Sequence, residues 1–126
     1  MREIKFRFWD NDIKKMFYDI EEIEYRYDCV VVSDGFEIQT LVLSEVKQMQ
    51  YTGLKDKNGK EIYEGDILKI YGSIAKDDPA YGYYEPEMEI IYCEAWGSFG
   101  FTDGGAFLRL MGEHNYEVIG NVYENH

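Results

Sequence analysis

The residues of this chain whose side chains could carry out catalysis are few, and their sequence contexts are unfavourable. Histidine occurs only at His114, in the turn-like segment GEHNYE, and at His126, the last residue, where chains usually fray. A nucleophile triad could be drawn from Ser98, Asp103 and His114. The segment around Ser98 reads WGSFG, however, and lacks the G-x-S-x-G elbow that presents a catalytic serine. The sequence therefore predicts no catalytic residue and no enzyme activity.

The stretch YTGLKDKNGKEIYEGD, residues 51–66, has the charges and glycines of a ligand-binding loop but not the spacing of one. An EF-hand loop needs oxygen ligands at its first, third and fifth positions and a glycine at its sixth. Counted from Asp56, the fifth position is Lys60, and Gly59 is the fourth. A P-loop needs two glycines separated by four residues, whereas Gly53 and Gly59 are six positions apart. The sequence therefore predicts no metal ion and no cofactor here.

A structural role accounts better for the same stretch. Asn58-Gly59 is the pair preferred in a two-residue hairpin turn, in which both residues have positive φ. Gly65-Asp66 then predicts a bend into the strand ILKI, with the Asp66 carboxylate accepting hydrogen bonds from backbone N–H groups. We therefore interpret Asn58, Gly59, Gly65 and Asp66 as turn residues that shape the fold.

A second group of carboxylates lies in the segment KDDPAYGYYEPEMEI, among tyrosines. Its spacing matches no recurring pattern of metal ligands, and a solvated loop without a partner is one interpretation. The other is protein contact, because tyrosine offers a large amphipathic surface and carboxylates select a basic partner. The predicted interaction loop comprises Asp77, Asp78, Tyr81, Tyr83, Tyr84, Glu85, Glu87 and Glu89.

Charge is distributed unevenly along the chain. There are 13 basic and 25 acidic residues, which give a formal net charge of −12. Residues 1–76 hold 12 basic and 15 acidic residues, whereas residues 77–126 hold 10 acidic residues and a single basic one, Arg109. Such a surface repels phosphate backbones, so the composition argues against nucleic-acid binding. A partner with a basic surface, or simple solubility, fits the charge better.

The two cysteines, Cys29 and Cys93, lie in apolar, strand-like runs and have no C-x-x-C spacing. We expect both to be reduced, buried thiols, and we expect no structural zinc site. The longest apolar run is too short to span a bilayer, and the start MREIKFRFWD carries charges that a signal peptide lacks. These features predict a soluble intracellular protein.

Apolar residues alternate with polar ones along most of the chain, a pattern that indicates strands. REIKFRFWD followed by KKMFYDI predicts a hairpin over residues 2–19, and Asp34-Gly35 predicts a tight turn inside the next such pair. GDILKIYG, AFLRLM and YEVIGNVYEN predict further strands. MEIIYCEAWGSFGF predicts one long strand or a bent pair, with bulges at Gly97 and Gly100.

Helical signals are scarce. Ser44 can cap a helix, and Val46 and Met49 are three positions apart, which predicts one or two helical turns that Gly53 would end. We therefore predict a β-rich α+β fold, in which short antiparallel strands form a small barrel or packed sheets with one or two short helices. We expect a β-hairpin subdomain over residues 1–50 and a small barrel-like subdomain over residues 51–126, which share a core.

Three segments resemble the YopX family of phage and prophage proteins. They are REIKFRFWD with KKMFY at the start, QYTGLKDKNGKEIYEGDIL in the middle and YEVIGNVYEN at the end, whereas residues 72–116 match least. Phe8 stands where the family often has a small residue, a difference that changes packing. The resemblance implies a compact β-rich α+β protein of two small subdomains that is encoded by a phage or prophage and self-associates. We expect it in the cytoplasm of the bacterial host cell. It implies no biochemical activity.

We therefore expect a non-enzymatic protein-interaction module that self-associates and binds a host or phage protein with a basic surface. It would bind no nucleic acid, membrane or cofactor. The alternative is an acidic nucleic-acid mimic that acts on a host DNA-binding protein. A metal-dependent enzyme that uses the acidic loop is the least favoured interpretation.

Overall fold

A computed structural model of the protein describes residues 5–70, 87–103, 106–110 and 116–124. These residues form strands β1 to β13 and one short 3₁₀ helix, so the predicted β-rich class is confirmed. No helix among them is long and apolar enough to cross a membrane. The chain divides into two compact units, Met1–Tyr51 and Thr52–His126.

The first unit starts with an antiparallel hairpin, β1 (Phe6–Asp10) and β2 (Lys15–Ile20), as the alternation predicts. β6 (Val46–Lys55) pairs antiparallel with β1 and continues past Tyr51 into the second unit. The register of β1 and β2 shifts once, next to Asp19, whose φ is 57°. Such a β-bulge twists a strand and interrupts its edge.

A second antiparallel sheet of the first unit contains β3 (Glu22–Tyr25), β4 (Cys29–Ser33) and β5 (Ile38–Val42) in that order. The predicted turn at Asp34-Gly35 joins β4 to β5, and Gly35 has a φ of 92°. The core draws side chains from both sheets, which therefore pack against each other. Its buried residues are Phe8, Val30, Val32 and Leu41.

The helix predicted from Ser44 is not present. Only a 3₁₀ turn forms at Leu43–Glu45, and β6 begins directly after it. Pairing with β1 supplies the backbone hydrogen bonds that a helix would otherwise make, and this tertiary pairing overrides the weak local preference. Gly53 does not end an element either, since it lies inside β6 with a φ of 88°.

The second unit contains two three-stranded antiparallel sheets and β7 (Glu61–Tyr63), the neighbour of β6. One sheet has the order β13-β8-β9 and the other the order β10-β11-β12. Their bounds are β8 (Asp66–Ile70), β9 (Glu87–Glu89), β10 (Ile91–Cys93), β11 (Ser98–Asp103), β12 (Ala106–Arg109) and β13 (Tyr116–Asn121). The core residues are Ile62, Leu68, Ile70, Ile90, Phe99, Phe101, Leu110 and Tyr116.

The bulges predicted at Gly97 and Gly100 are wrong. Gly97, at φ 60°, ends the turn between β10 and β11, so MEIIYCEAWGSFGF forms three short strands. Gly100 lies in a regular ladder between Ile91 and Arg109. A Cβ atom there would overlap the Leu108 carbonyl oxygen, so β11 needs a glycine for close approach of the next strand.

Candidate functional site

The Asp56 carboxylate organises the turn between β6 and β7. Asp56 is buried, and its Oδ1 accepts hydrogen bonds from the N–H groups of Asn58 at 2.8 Å and Lys60 at 2.9 Å. The Asp56 N–H donates to the Lys60 carbonyl oxygen at 2.8 Å and closes the loop. Gly59 has a φ of 83°, but Asn58 does not have a positive φ. The predicted two-residue turn is therefore wrong, and a longer loop with one left-handed residue forms instead.

The same turn, residues 56–60, is fastened to β13. Asp56 Oδ2 accepts a hydrogen bond from the Val118 N–H at 3.0 Å, and the Lys57 N–H donates to the Tyr116 carbonyl oxygen at 2.9 Å. Lys57 Nζ lies 3.8 Å from Glu117 Oε2. The turn therefore covers an edge of β13, and both Asp56 oxygen atoms are used by the backbone.

The bonds to Asp56 change its acidity. Burial by itself would raise the pKa of the carboxyl group. Hydrogen bonds from the N–H groups of Val118, Lys60 and Asn58, with the charge of Lys60, outweigh burial and lower the pKa below its ordinary value. Asp56 is thus held as a carboxylate, which is the wrong state for a general acid near neutral pH.

Asp66 occupies the bend that the sequence predicts. It is 1% exposed, and its Oδ2 accepts a hydrogen bond from the Tyr63 N–H at 2.8 Å. Gly65, at φ 88°, donates its N–H to the Ile90 carbonyl oxygen at 2.8 Å. The Ile90 N–H donates in turn to the Asp66 carbonyl oxygen at 2.8 Å. The bend at Gly65-Asp66 is therefore hydrogen-bonded to Ile90, which lies between β9 and β10.

Three more turns use the same device. Asp10 Oδ1 accepts from the Asp12 N–H at 2.9 Å, and Asp34 Oδ1 accepts from the Phe36 and Glu37 N–H groups at 2.9 and 2.8 Å. Asn121 Oδ1 caps the following turn in the same way. These side chains stabilise turns, and the described residues contain no group of three His, Cys, Asp or Glu that could hold a metal ion.

Most of the predicted interaction loop, Asp77, Asp78, Tyr81, Tyr83, Tyr84 and Glu85, lies outside the described residues. Glu87 and Glu89 are described, and both are exposed at the ends of strand β9. Glu87 lies opposite Lys69 of β8, so a cation partly balances its charge.

The triad suggested by Ser98, Asp103 and His114 is not assembled in the part of the chain that the structure describes. Ser98 pairs with Cys93 in the β10–β11 ladder, and no hydrogen-bond partner of its buried Oγ is found among the described residues. His114 lies outside those residues. Cys29 and Cys93 are free thiols, one in each unit, and both are partly buried rather than fully buried.

A small pocket lies in the first unit beside β2. Its lining includes Lys15, Phe17, Asp34, Glu37 and Gln39, and its volume is about 170 Å³. Pockets for organic ligands usually measure about 300 Å³ or more. This pocket has room for a few water molecules and offers no enclosed site for a substrate.

Exposed aromatic side chains at hairpin ends are a feature that the sequence reasoning missed. Tyr27 lies between β3 and β4 and is 101% exposed, Phe36 lies between β4 and β5 and is 95% exposed, and Trp96 lies between β10 and β11 and is 72% exposed. Each is next to an aspartate or glycine of a turn, and this neighbour in the sequence indicates an exposed position. Solvent-exposed aromatic groups of this size are typical of protein contact sites.

The described residues thus identify a β-rich protein of two compact units, in which buried carboxylates accept hydrogen bonds from backbone N–H groups. The YopX protein family model matches residues 5–126, and the chain belongs to this family. The structure is similar to the crystal structure of protein EF1440 from Enterococcus faecalis, with a TM-score of 0.64 and 28% sequence identity. That match covers 99% of this chain and 96% of EF1440. A search of curated proteins found no match.

Proposed function

We propose that the protein is a non-enzymatic interaction module, encoded by a phage or prophage, that self-associates and binds a protein with a basic surface. The observation that carries this proposal is the exposure of Tyr27, Phe36 and Trp96 at hairpin ends. A side chain at a turn adds nothing to a core when it is fully exposed, so its apolar surface is available to a partner. The phage or prophage origin rests on the family resemblance.

Charge supports a basic partner. Residues 77–126 carry 10 acidic residues and one basic residue, and Glu87 and Glu89 of that segment are exposed. Carboxylates at the rim of an interface speed association with a basic protein and exclude acidic ones. The sequence of this segment also contains tyrosines at positions 81, 83 and 84, a residue type that offers a large amphipathic contact area.

Affinity capture with an immobilised chain tests the proposal. Tyr27→Ser, Phe36→Ser and Trp96→Ser should each reduce capture of a bacterial partner, quantified by mass spectrometry against the unmodified chain. Tyr25→Ser is the matched control, because Tyr25 is 54% exposed but lies within strand β3. Equal capture by all four variants would contradict a role for the hairpin ends.

The acidic segment needs a separate variant. Replacing residues 77–86 with a Gly-Ser linker of equal length removes six of the eight residues of the predicted loop and leaves β9, which begins at Glu87, intact. We expect loss of the basic partner and unchanged thermal stability. Unchanged capture would exclude the loop as the contact surface.

Nucleic-acid mimicry is favoured by the exposed carboxylates of Glu87 and Glu89, but the Lys69 side chain opposite Glu87 weakens it. A mimic binds through charge, so added salt should abolish its complex. An interface that uses the hairpin aromatics should survive salt, because apolar contacts are not screened. Capture at low and high salt therefore separates the two candidates.

A further inference from the structure

Strand β5 has an open edge, and its hydrogen bonds show which atoms lie on it. The Leu43 N–H donates to the Asp28 carbonyl oxygen at 3.1 Å, and the Asp34 N–H donates to the Glu37 carbonyl oxygen at 3.3 Å. These two bonds flank the β4–β5 ladder. In an antiparallel ladder, hydrogen-bonded pairs alternate with non-bonded pairs, so the flanking bonds fix the whole pattern.

It follows that Gln39 and Leu41 bond to β4, whereas the N–H and C=O groups of Ile38, Thr40 and Val42 point away from it. β5 is the last strand of its sheet. Among the described residues, no backbone hydrogen bond outside the ladders involves these three residues. They therefore present a row of donors and acceptors that another strand can pair with.

The other described edge strands carry features that discourage pairing. β2 has a bulge at Asp19, and the Asp56 turn covers β13. β3 carries the charges of Glu22 and Glu24, and β12 ends in Arg109. The strands β7, β9 and β10 have only three residues each. β5 is different, because its sequence IQTLV has no charge and no proline, and its register to β4 is regular. Charges, bulges and short length are the usual protections of a sheet edge.

The outer face of β5 is apolar as well. Ile38 is 72% exposed and Val42 is 55% exposed, with the exposed Thr40 between them. These are the three residues whose backbone groups lie on the open edge. A strand that pairs there would gain hydrogen bonds and cover apolar side chains at once.

We propose that β5 is the self-association surface, and that two copies pair their β5 strands antiparallel about a two-fold axis at Thr40. In this register Ile38 of each copy lies opposite Val42 of the other copy, and the two Thr40 residues lie opposite each other. All outward groups are then matched, with about six backbone hydrogen bonds in a continuous six-stranded sheet. The inference rests on the self-association in the proposed function and names its surface.

The strand itself identifies a second copy as the occupant, because IQTLV is uncharged and complementary to itself about Thr40. Each copy carries a formal charge of −12, so two copies repel each other wherever their charged surfaces meet. The IQTLV strand is uncharged, and in the two-fold register Glu37 lies opposite Leu43 rather than another carboxylate. Because salt screens the remaining repulsion, added salt should strengthen the dimer.

Sedimentation velocity of the full chain over a wide concentration range tests the inference. Thr40→Pro removes the central outward N–H at a position where an edge strand tolerates proline, and Ile38→Lys places a charge at both ends of the interface. Each should raise the dimer dissociation constant at least about tenfold. The control is Ile13→Lys, which adds the same charge at a side chain that is 58% exposed in the β1–β2 turn, and it should leave the dimer unchanged.

Amide hydrogen exchange gives a second readout. In the dimer the N–H groups of Ile38, Thr40 and Val42 should be protected, and dilution to monomer should remove protection at these three positions first. A dimer that Thr40→Pro and Ile38→Lys both leave intact would overturn β5 as the surface while self-association stands. A chain that is monomeric at every concentration would overturn both, yet leave partner binding in place. If Thr40→Pro does not fold, Ile38→Lys decides alone.

Discussion

Asp56 and Val118 lie 62 residues apart in the chain, yet the Asp56 carboxylate accepts a hydrogen bond from the Val118 N–H at 3.0 Å. The same carboxylate holds the N–H groups of Asn58 and Lys60. One side chain therefore sets the local turn and fastens it to a distant strand. Three backbone donors occupy both oxygen atoms of this buried carboxylate and leave about one of its roughly four lone-pair sites.

Removal of this carboxylate should destabilise the second unit. We expect Asp56→Ala to lower the free energy of unfolding by about 3 kcal/mol, because buried N–H groups lose their acceptor. Asp56→Asn should lose less, about 1–2 kcal/mol, because its amide oxygen still serves one set of donors. Urea unfolding measures both. The exposed Asp12→Ala should change stability by less than about 0.5 kcal/mol, and an equal loss at Asp12 would contradict the special role of Asp56.

Stability should depend on pH through the same group. The backbone hydrogen bonds lower the pKa of Asp56 in the folded protein, whereas the unfolded chain keeps the ordinary value of 3.8. The stabilisation is therefore present above that value and is lost as pH falls through the lower, folded pKa. Urea midpoints of the wild-type chain and Asp56→Asn should differ at neutral pH and converge in acid. A difference that persists in strong acid would show that the carboxylate charge is not responsible.

Gly59 should be required for its backbone conformation alone. Its φ is 83°, and a Cβ there would meet no atom within 4 Å. Gly59→Ala should therefore cost about 1 kcal/mol, and Gly59→Asn should cost less, since asparagine tolerates the left-handed region. Thermal melting of the two variants is the measurement. A larger loss for asparagine than for alanine would point to crowding instead of strain.

Gly100 should be required for space instead. A Cβ at this position overlaps the Leu108 carbonyl oxygen and lies 2.7 Å from the Phe107 ring. Gly100→Ala should cost about 3 kcal/mol or more, because the neighbouring backbone must move. Adding Phe107→Ala should restore little of this loss in urea unfolding, since the backbone oxygen remains in place. Full restoration would mean that the ring, not the strand, sets the limit.

Local patterns were enough to predict the hairpins but not the close approaches. β1 with β2 and β4 with β5 follow from period-two alternation and the Asp34-Gly35 pair, both of which are readable within a few residues. The helix at Ser44 failed because Val46 and Met49 pair with β1, although a spacing of three residues places their side chains on opposite faces of a strand. Local propensity cannot report that partner.

The candidate site was also predictable only where it depends on local sequence. The bend at Gly65-Asp66 and its carboxylate hydrogen bond follow from turn chemistry that the sequence displays. The contact of Asp56 with Val118 joins two segments that no short pattern relates. The open edge of β5 could not be predicted either, because it depends on which strand ends a sheet.

Cys29 and Cys93 give each unit its own chemical reporter. A thiol in a partly buried strand reacts with an alkylating reagent mainly when the surrounding structure opens, so the labelling rate measures the free energy of that opening. Replacing one cysteine leaves a single probe, in Met1–Tyr51 or in Thr52–His126. Comparison of the two labelling rates would show whether the two units open in one cooperative step or independently.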